Sequence, residues 1–319
     1  MVKVSHSARR TRGARSGAAS AHAVTLGELI ARAARRLSRA HLHFGHGTDN
    51  AWDEAAALVL HALGLPPGRI PARRRVGAAK QRRALALIER RIRERIPAPY
   101  LTGRTWFAGI EVGVDRRVLI PRSAIAELIE RGFGPWIDPA RVRRVLDLGT
   151  GSGCIALACA QALPRARVDA TDVSEQALGV ARANVRRLGC ERRVRLVRAS
   201  HFRGLAGRRY DIIVSNPPYV GARELARLPP EYRHEPRLAL AAGRLGLDSV
   251  RVILRGAARH LRPRGILVVE VGNTERAVRR AFPRVPFTWL SFERGGGGVF
   301  LLTAEQLQAH SRDVRKQHR

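Results

Sequence analysis

Residues 145–153 read Val-Leu-Asp-Leu-Gly-Thr-Gly-Ser-Gly, an apolar stretch that runs directly into three closely spaced glycines. Residues 145–148 predict a buried strand, and the apolar run over 154–163 predicts a buried helix. Glycines between a strand and a helix let the backbone turn tightly and approach a ligand closely. The stretch therefore predicts the first strand–turn–helix unit of a doubly wound α/β sheet.

The chain after this unit continues to alternate between strand and helix patterns. Helices are predicted over 174–188 and 247–261, and further strands over 168–171, 194–197, 211–214, 265–271, 287–292 and 299–302. Such alternation is typical of a mostly parallel sheet with helices on both faces. The last two strands flank the four consecutive glycines at 295–298, which predicts an antiparallel hairpin at one edge of the sheet.

The chain before residue 122 has a different organisation. Apolar residues recur at helical spacing from Thr25, and more helices are predicted over 52–63 and 78–96, so residues 25–96 predict a small helical domain. Residues 97–121 are rich in aromatic and β-branched residues and predict a β-hairpin connector. The α/β domain is expected to span 122–307, with a helix over 123–130 at its start.

Both ends of the chain are predicted to be tails. Residues 1–24 contain no acidic residue and are rich in Ser, Ala, Arg and Gly, a composition shared by organellar transit peptides and disordered tails. No clear amphipathic helix is present there, which favours a disordered basic tail. Residues 308–319 are predicted to be a C-terminal tail.

The composition is that of a globular protein. The chain has 319 residues, 45% of them hydrophobic, which excludes a disordered or fibrous protein. No uncharged apolar run reaches the ~18 residues that a membrane helix needs. Three cysteines without paired spacing argue against a disulfide scaffold and a cysteine-rich zinc site. We therefore expect a soluble protein of the cytoplasm with no membrane partner.

The balance of charge is strongly basic, with 59 basic against 26 acidic residues and a formal net charge of +33. Lysine occurs only three times, so nearly all the basic residues are arginine, as a GC-rich genome would produce. A surface that meets ribosomal RNA or DNA is the functional interpretation, and compositional drift is the alternative. The excess is denser at the N-terminal end, where the first 100 residues hold 20 basic and 6 acidic side chains.

The glycine-rich turn predicts a cofactor site. Gly149, Gly151 and Gly153 lie at the switch point of the predicted sheet, and Asp172 ends the next strand, where a carboxylate can bind ribose hydroxyls. The spacing fits a nicotinamide dinucleotide as well as S-adenosylmethionine. Asp147, just before the glycines, favours the cationic methionine end of S-adenosylmethionine over a doubly charged pyrophosphate.

The tetrapeptide Asn216-Pro217-Pro218-Tyr219, directly after the strand predicted over 211–214, indicates the reaction. The nitrogen of a planar amide or aromatic amine is a poor nucleophile, and its methylation needs acceptors that orient the NH₂ group. The Asn216 side-chain oxygen and the Pro217 carbonyl can both accept from one NH₂, and the prolines fix the backbone. Tyr219 can pack against the planar face of the substrate.

With these motifs the sequence resembles the protein-(glutamine-N5) methyltransferases. The run Val118-Leu-Ile-Pro-Arg122-Ser and the later Glu235-Pro236 are similar to that family's pattern, which implies that Arg122 and Glu235 bind substrate. The resemblance implies a helical substrate domain joined through a hairpin to a Rossmann-like, seven-stranded catalytic domain that uses S-adenosyl-L-methionine. It covers residues 25 to 307.

Within this family the sequence is most similar to the branch that methylates ribosomal protein L-three of the large subunit. The similar stretches are residues 44–54, 232–236, 285–289 and 295–300. The resemblance implies L-three as the protein substrate, with ribosomal RNA or an assembling large subunit as further candidate partners. It leaves the oligomeric state open.

One position departs from the family pattern. The third strand of the sheet usually ends in an acidic residue that contacts the adenine amine, and Ser200 occupies that place here. A serine accepts a hydrogen bond without charge assistance. The departure concerns the affinity for the cofactor more than the reaction type.

Three alternative functions stay open at this point. The catalytic motifs fit equally a methyltransferase acting on the glutamine of peptide-chain release factors. DNA adenine N6-methylation uses the same loop, but no second domain large enough for base recognition is evident. An inactive ribosome-assembly factor would be consistent with Ser200 and the excess of arginine.

His41, His43 and His46 lie close in sequence, but no cysteine or carboxylate set completes a metal site, so no metal is expected.

Overall fold

The computed structural model describes residues 24–68 and 70–315. The predicted basic tail therefore lies, apart from Val24, outside the described residues. The N-terminal region contains the following elements in chain order: β1 (Val24–Thr25), α1 (Leu26–Arg39), α2 (Ala51–Ala62), β2 (Arg75–Val76) and α3 (Ala78–Glu94). The two short strands pair antiparallel, and the three helices enclose a separate apolar core.

Local sequence explains where these helices begin. The Thr25 side chain accepts from the backbone N–H of Glu28, and the Glu28 carboxylate accepts from that of Thr25, a reciprocal capping box. The Asn50 side chain caps α2 by accepting from the backbone N–H of Asp53. The apolar stripe of α1, from Leu26 to Leu37, is fully buried as its spacing predicts.

The stretch predicted as a hairpin, 97–121, is only partly a hairpin. It starts with the short helix α4 (Ala98–Thr102), continues with β3 (Arg104–Phe107) and β4 (Ile110–Gly113), and has no regular structure after that. A proline at the first turn of α4 is compatible with a helix start, because its missing N–H would have no helical partner there. The side chains of Val114, Val118 and Ile120 are buried without belonging to a strand.

The rest of the chain alternates strands and helices. The elements are α5 (Ile125–Glu130), β5 (Arg144–Leu148), α6 (Cys154–Ala162), β6 (Arg167–Asp172), α7 (Glu175–Arg187), β7 (Val194–Arg198), β8 (Tyr210–Ser215), α8 (Ala222–Leu225), α9 (Asp248–His260), β9 (Leu261–Glu270), α10 (Glu275–Ala281), β10 (Thr288–Leu290), β11 (Val299–Thr303), α11 (Ala304–Ala309) and α12 (Ser311–Arg315). Short 3₁₀ helices lie at Pro139–Arg141, Pro230–His234, Arg237–Ala239 and Gly272–Thr274.

The seven strands of the main sheet are ordered β10-β11-β9-β8-β5-β6-β7. Strands β9, β8, β5, β6 and β7 are parallel, and β10 and β11 are antiparallel to their neighbours. The predicted seven-stranded, doubly wound sheet with an antiparallel hairpin at its edge is therefore confirmed. Because the chain leaves β5 first toward β6 and later returns to β8, the switch point lies at the carboxyl ends of β5 and β8.

Apolar cores lie on both faces of this sheet. One joins alternate residues of β5, β6, β8 and β9 to α5, α6, α7 and the hairpin, and the other joins the intervening residues to α9, α10 and α11. The region from residue 308, expected to be a tail, is helical up to Arg315, because Val314 is buried in the second core. Within the described part of the chain, no helix is both long and apolar enough to cross a membrane.

Buried charges attach the helical region to the sheet domain. Arg91 of α3 is fully buried, and its Nε lies 2.7 Å from Oε1 of Glu54 in α2. Its Nη1 lies 3.6 Å from Oε1 of Glu231, a residue of the sheet domain. The same Glu231 oxygen accepts from the backbone N–H of His43 at 3.0 Å and lies 2.8 Å from Nη2 of Arg95. A buried charge with several partners fixes the relative orientation of the elements that carry them.

Candidate active site

The glycine-rich turn between β5 and α6 adopts a conformation that favours glycine. Gly149, Gly151 and Gly153 have φ values of 72°, 55° and 83°, all in the left-handed region. The backbone N–H groups of Gly149 and Thr150 both donate to the carbonyl of Thr171 in β6, at 2.9 and 2.8 Å. The turn is therefore anchored to the neighbouring strand and opens toward the carboxyl edge of the sheet.

Asp147 lies beneath this turn. Its carboxylate accepts from the Thr150 hydroxyl at 2.6 Å and from the backbone N–H of Ala156 at 3.2 Å. The side chain is completely buried, and burial raises the pKa of Asp147 to about 7. Its Oδ1 has no hydrogen-bond partner within the described structure. Asp147 supports the turn from within rather than lining the cavity above it.

Asp172 connects the end of β6 to the turn. Its Oδ2 accepts from the backbone N–H of Gly151 at 2.9 Å, and its Oδ1 accepts from that of Ser174 at 2.9 Å. Burial raises the pKa of Asp172, while these backbone hydrogen bonds oppose the rise. The carboxylate also lines the cavity, so it can accept further hydrogen bonds from a ligand.

A cavity of about 390 Å³ opens at the carboxyl ends of β5, β6, β7 and β8. Of the predicted site residues, its wall includes Arg122, Gly149, Gly151, Asp172, Ser200 and the segment 216–218. Asp147, Gly153, Tyr219 and Glu235 are not part of the wall. The structure thus brings together residues from five separate segments that the sequence assigned to one site.

The segment after β8 presents its polar atoms to this cavity. The Ser215 hydroxyl donates to the carbonyl of Leu148 at 2.7 Å, which fixes the end of β8 against β5. The next residue, Asn216, lines the cavity, and its Oδ1 is buried with no hydrogen-bond partner in the described structure. A buried amide oxygen without a partner is costly, so it fits a site completed by a donor from a ligand.

Tyr219 does not reach the cavity wall. A Cβ at Gly272 would lie 2.7 Å from Cε2 of the Tyr219 ring, so this ring packs directly over a residue that must be glycine. The ring therefore covers the Gly272 turn in the structure, and the predicted stacking of Tyr219 on the substrate is not part of this geometry.

Arg122 is held on the wall by Glu235. The two guanidinium nitrogens donate to the two Glu235 oxygens at 2.6 Å each, and Glu235 Oε1 also accepts from the backbone N–H of Ile120 at 3.1 Å. Burial opposes ionisation, but the Arg122 hydrogen bonds and nearby His46 lower the pKa of Glu235 to about 2. Glu235 is therefore an anion near neutral pH, and its two hydrogen bonds orient Arg122.

Ser200 lines the cavity after β7, and its Oγ lies 3.3 Å from Nδ1 of His201.

The sequence analysis did not identify Glu270 at the end of β9, which accepts a short hydrogen bond from the Ser123 hydroxyl. Its only signal in the sequence is a carboxylate that ends a strand of buried residues. Among residues 24–68 and 70–315, no group of three or more His, Cys, Asp and Glu side chains is arranged to hold a metal ion.

Residues 135–227 match the family model described as "Methyltransferase small domain". The glycine turn, Asp172 and the segment 216–218 all lie within the matched residues and meet at one cavity, so the class of this protein is that of the methyltransferases.

The comparisons with curated proteins are more specific. The ribosomal protein uL3 glutamine methyltransferase of Bordetella pertussis is 48% identical over 89% of this chain and 96% of its own length. The protein of the same name from Neisseria meningitidis serogroup B is 49% identical over 89% of this chain and 94% of its own length. Among solved structures, a methyltransferase from Pyrococcus furiosus aligns with 61% of this chain and 89% of its own, at 20% identity and a TM-score of 0.46. The chain belongs to the family of ribosomal protein uL3 glutamine methyltransferases, which confirms the family predicted from its motifs.

Proposed function

We propose that this enzyme transfers the methyl group of S-adenosyl-L-methionine to the side-chain amide nitrogen of a glutamine in ribosomal protein uL3, the protein L-three of the sequence resemblance. The observation that carries the proposal is Asn216 Oδ1, a buried acceptor on the cavity wall that has no hydrogen-bond partner among the described residues. A glutamine NH₂ group is a donor that satisfies it. Its relatives' shared name supports uL3 as the protein that presents this amide.

The residues around the turn fit the cofactor. A ribose over the segment Gly149–Gly151 would donate to Asp172, whose carboxylate already faces the cavity. Ser200 and the turn line the same cavity, so an adenosine group can extend along them. When bound, S-adenosyl-L-methionine supplies an electrophilic methyl group. Asp147 contributes by holding the turn in shape from below, through Thr150 and Ala156.

The protein's own groups have to orient a weak nucleophile. The lone pair of an amide nitrogen is delocalised into the carbonyl, so attack requires the NH₂ group to be fixed and polarised. Asn216 Oδ1 and the Pro217 carbonyl oxygen are two acceptors on adjacent residues, and the two prolines hold their spacing. Acceptors that are already in place stabilise the positive charge that develops on nitrogen without reorganisation.

Arg122 gives the cavity a fixed cation on its substrate side. Among the described residues its ion-pair partner is Glu235, and one of its nitrogens also donates to the carbonyl of Ile120. Its remaining N–H groups can bind a carbonyl or carboxylate of the substrate chain. Leu238 lies on the same wall with 60% of its surface exposed, which offers an apolar contact next to this cation. We assign recognition of the rest of uL3 to the helical domain of residues 25–96, and the reaction to the cytoplasm.

The test is transfer of radiolabelled methyl from the cofactor to purified uL3. Asn216→Ala should lower kcat by about 100-fold, since one preorganised acceptor contributes on that order, and should leave cofactor affinity within threefold. Asn273→Ala serves as the matched control, because Asn273 is an exposed asparagine bonded to Glu224.

Two further candidate substrates distinguish the proposed function from the alternative methyltransferase functions. A peptide-chain release factor and adenine-containing DNA are offered in parallel, each alone. Label on the release factor with none on uL3 would change the substrate and keep the chemistry. Label on DNA, or no label on any substrate, would refute the proposed reaction.

A further inference from the structure

Glu270 and Asn216 lie at the carboxyl ends of two neighbouring strands. In the parallel pair β8–β9, the last residues in register are Ser215 and Val269. The next residues along the chain are Asn216, just beyond the end of β8, and Glu270, the last residue of β9. Both residues therefore belong to the edge of the sheet at which the cavity opens.

Ser123 connects Glu270 to the cavity. The Ser123 hydroxyl donates a short hydrogen bond to Oε2 of Glu270 and accepts from the backbone N–H of Ile125 at 3.2 Å. Ser123 lines the cavity, whereas Glu270 lies behind it with 6% of its surface exposed. The serine hydroxyl therefore lies between the cavity, which Asn216 also lines, and a buried carboxylate.

The surroundings of Glu270 contain little positive charge. No ion pair within 4.0 Å involves it in the described part of the chain, and its partner across β11 is the apolar Val299. Burial raises the pKa of Glu270 to about 7, against the opposing effects of the Ser123 hydrogen bond, of Arg122 and of Tyr219. The backbone N–H of Ala124 also faces Glu270 and opposes the rise. A carboxylate of this kind can take up a proton near neutral pH.

We propose that Glu270, acting through the Ser123 hydroxyl, receives the proton that the glutamine amide nitrogen loses as it is methylated; this inference rests on the proposed function. As the nitrogen–carbon bond forms, the carbon–sulfur bond breaks and leaves its electron pair on sulfur. One N–H proton passes to Ser123 Oγ while the Ser123 proton passes to Glu270 Oε2. The nitrogen ends neutral, the serine is restored, and Glu270 ends as a carboxylic acid that later releases its proton to water.

Methylation of an amide nitrogen requires a group that accepts the proton released from that nitrogen. Methylation without loss of a proton would leave a cationic amide nitrogen, which is strongly unfavourable. Asn216 Oδ1 and the Pro217 carbonyl are amide oxygens, so they can accept hydrogen bonds but are too weakly basic to keep the proton. A base whose pKa is close to the working pH is the most effective acceptor.

The first test is Glu270→Gln, which keeps the shape and removes the basic carboxylate. We expect kcat to fall by about 100-fold, as for loss of a general base, with KM for uL3 and the cofactor Kd within twofold of wild type. Only the carboxylate form accepts the proton, so wild-type kcat should decline as the pH falls through about 7, and the variant should lack this decline. Glu127→Gln is the matched control, because Glu127 is a buried glutamate outside the cavity wall that accepts from the backbone N–H groups of Glu293 and Arg294 and pairs with the side chains of Arg131 and Arg294.

Two further measurements do not depend on the Gln variant being well folded. The ¹³C carboxyl resonances of wild-type enzyme without cofactor should include an aspartate and a glutamate that titrate near pH 7, Asp147 and Glu270. In Ser123→Ala the glutamate titration should move to higher pH, because the Ser123 hydrogen bond opposes the rise in the Glu270 pKa, and kcat should fall at least tenfold. Glutamate resonances that all titrate below pH 5, or wild-type kcat in Ser123→Ala, would overturn the proposal. If one of these overturning results is obtained while the wild-type enzyme methylates uL3, only the assignment of the proton acceptor is refuted. If the wild-type enzyme does not methylate uL3, the proposed function itself is refuted.

Discussion

The guanidinium of Arg122 and the carboxylate of Glu235 meet in two parallel hydrogen bonds of 2.6 Å each, although the residues lie more than 100 positions apart in the chain. The same carboxylate is 3.6 Å from Nε2 of His46, a buried residue of the helical region. The Tyr232 ring packs against both His46 and the Arg122 guanidinium. Residues of both the helical region and the sheet domain therefore hold the Arg122 cation on the cavity wall.

This ion pair makes a prediction about stability in acid. The pKa of Glu235 is lowered from its ordinary 4.5 to about 2, so its contribution to stability is complete above about pH 5 and is lost as the pH falls from 4.5 toward 2. A shift of this size corresponds to about 3 kcal/mol, about 2 kcal/mol of which is lost by pH 3. Between pH 5 and pH 3, the free energy of unfolding of wild type should therefore fall by about 2 kcal/mol more than that of Glu235→Gln.

Urea denaturation at the two pH values measures this difference, because all other carboxylates are common to both proteins. Glu293→Gln is the control, since the Glu293 side chain is 82% exposed and should reproduce the wild-type dependence on pH. Parallel pH dependence in wild type and Glu235→Gln would show that Glu235 is not held as an anion.

The second prediction concerns Gly153, the last glycine of the glycine-rich turn between β5 and α6. Its φ of 83° costs an alanine about 1–2 kcal/mol, and an added Cβ would lie 3.3 Å from Cβ of Ala181 in α7. Gly153→Ala should lower the free energy of unfolding by about 2 kcal/mol and weaken cofactor binding at least tenfold, because α6 and the turn must shift together. Urea denaturation and calorimetric titration measure the two effects.

The control for Gly153 is Gly189→Ala. Gly189 has a φ of 63° with no atom within 4 Å of the added Cβ, and it lies after α7 away from the cavity. It should cost about 1 kcal/mol of stability and leave the cofactor Kd unchanged. Equal losses of cofactor affinity in the two variants would mean that general destabilisation, rather than the turn, determines binding.

The parts of the fold that could be predicted from the sequence are those fixed by local signals. Apolar runs that alternate with helical patterns predicted the strands. The three glycines of 149–153 predicted the turn, because few residue types other than glycine adopt its positive φ angles. The Asn-Pro-Pro-Tyr loop could be placed because it directly follows β8. Helix α10 and the packed C-terminal helices were missed, because their burial depends on contacts with α9 and β9 rather than on a strong apolar period of their own.

The missing parts of the site are those made by residues distant in sequence. Glu270 and Ser123 are 147 positions apart, and their hydrogen bond depends on the order of strands in the sheet. The orientation of Tyr219 likewise depends on Gly272, which the sequence alone does not connect to it. The sequence motifs therefore predict the reaction. The residues that contact the motif residues in the folded protein can be identified only from the structure.

The last prediction concerns Ser200, where the sequence departs from the pattern that its family resemblance implies. Its hydroxyl lies on the cavity wall and within 3.3 Å of His201 Nδ1, so it shares its hydrogen-bonding capacity with that ring. An aspartate at this position would add a charged acceptor for the adenine amine, and charge-assisted hydrogen bonds are roughly twice as strong as neutral ones. Ser200→Asp should tighten cofactor binding by about fivefold in calorimetric titration, with Ser174→Asp, on the same cavity wall at the start of α7, as a control for the added charge. A Kd that is unchanged or weaker in Ser200→Asp would mean that the adenine amine lies elsewhere and that the serine is no functional substitute for the acidic residue.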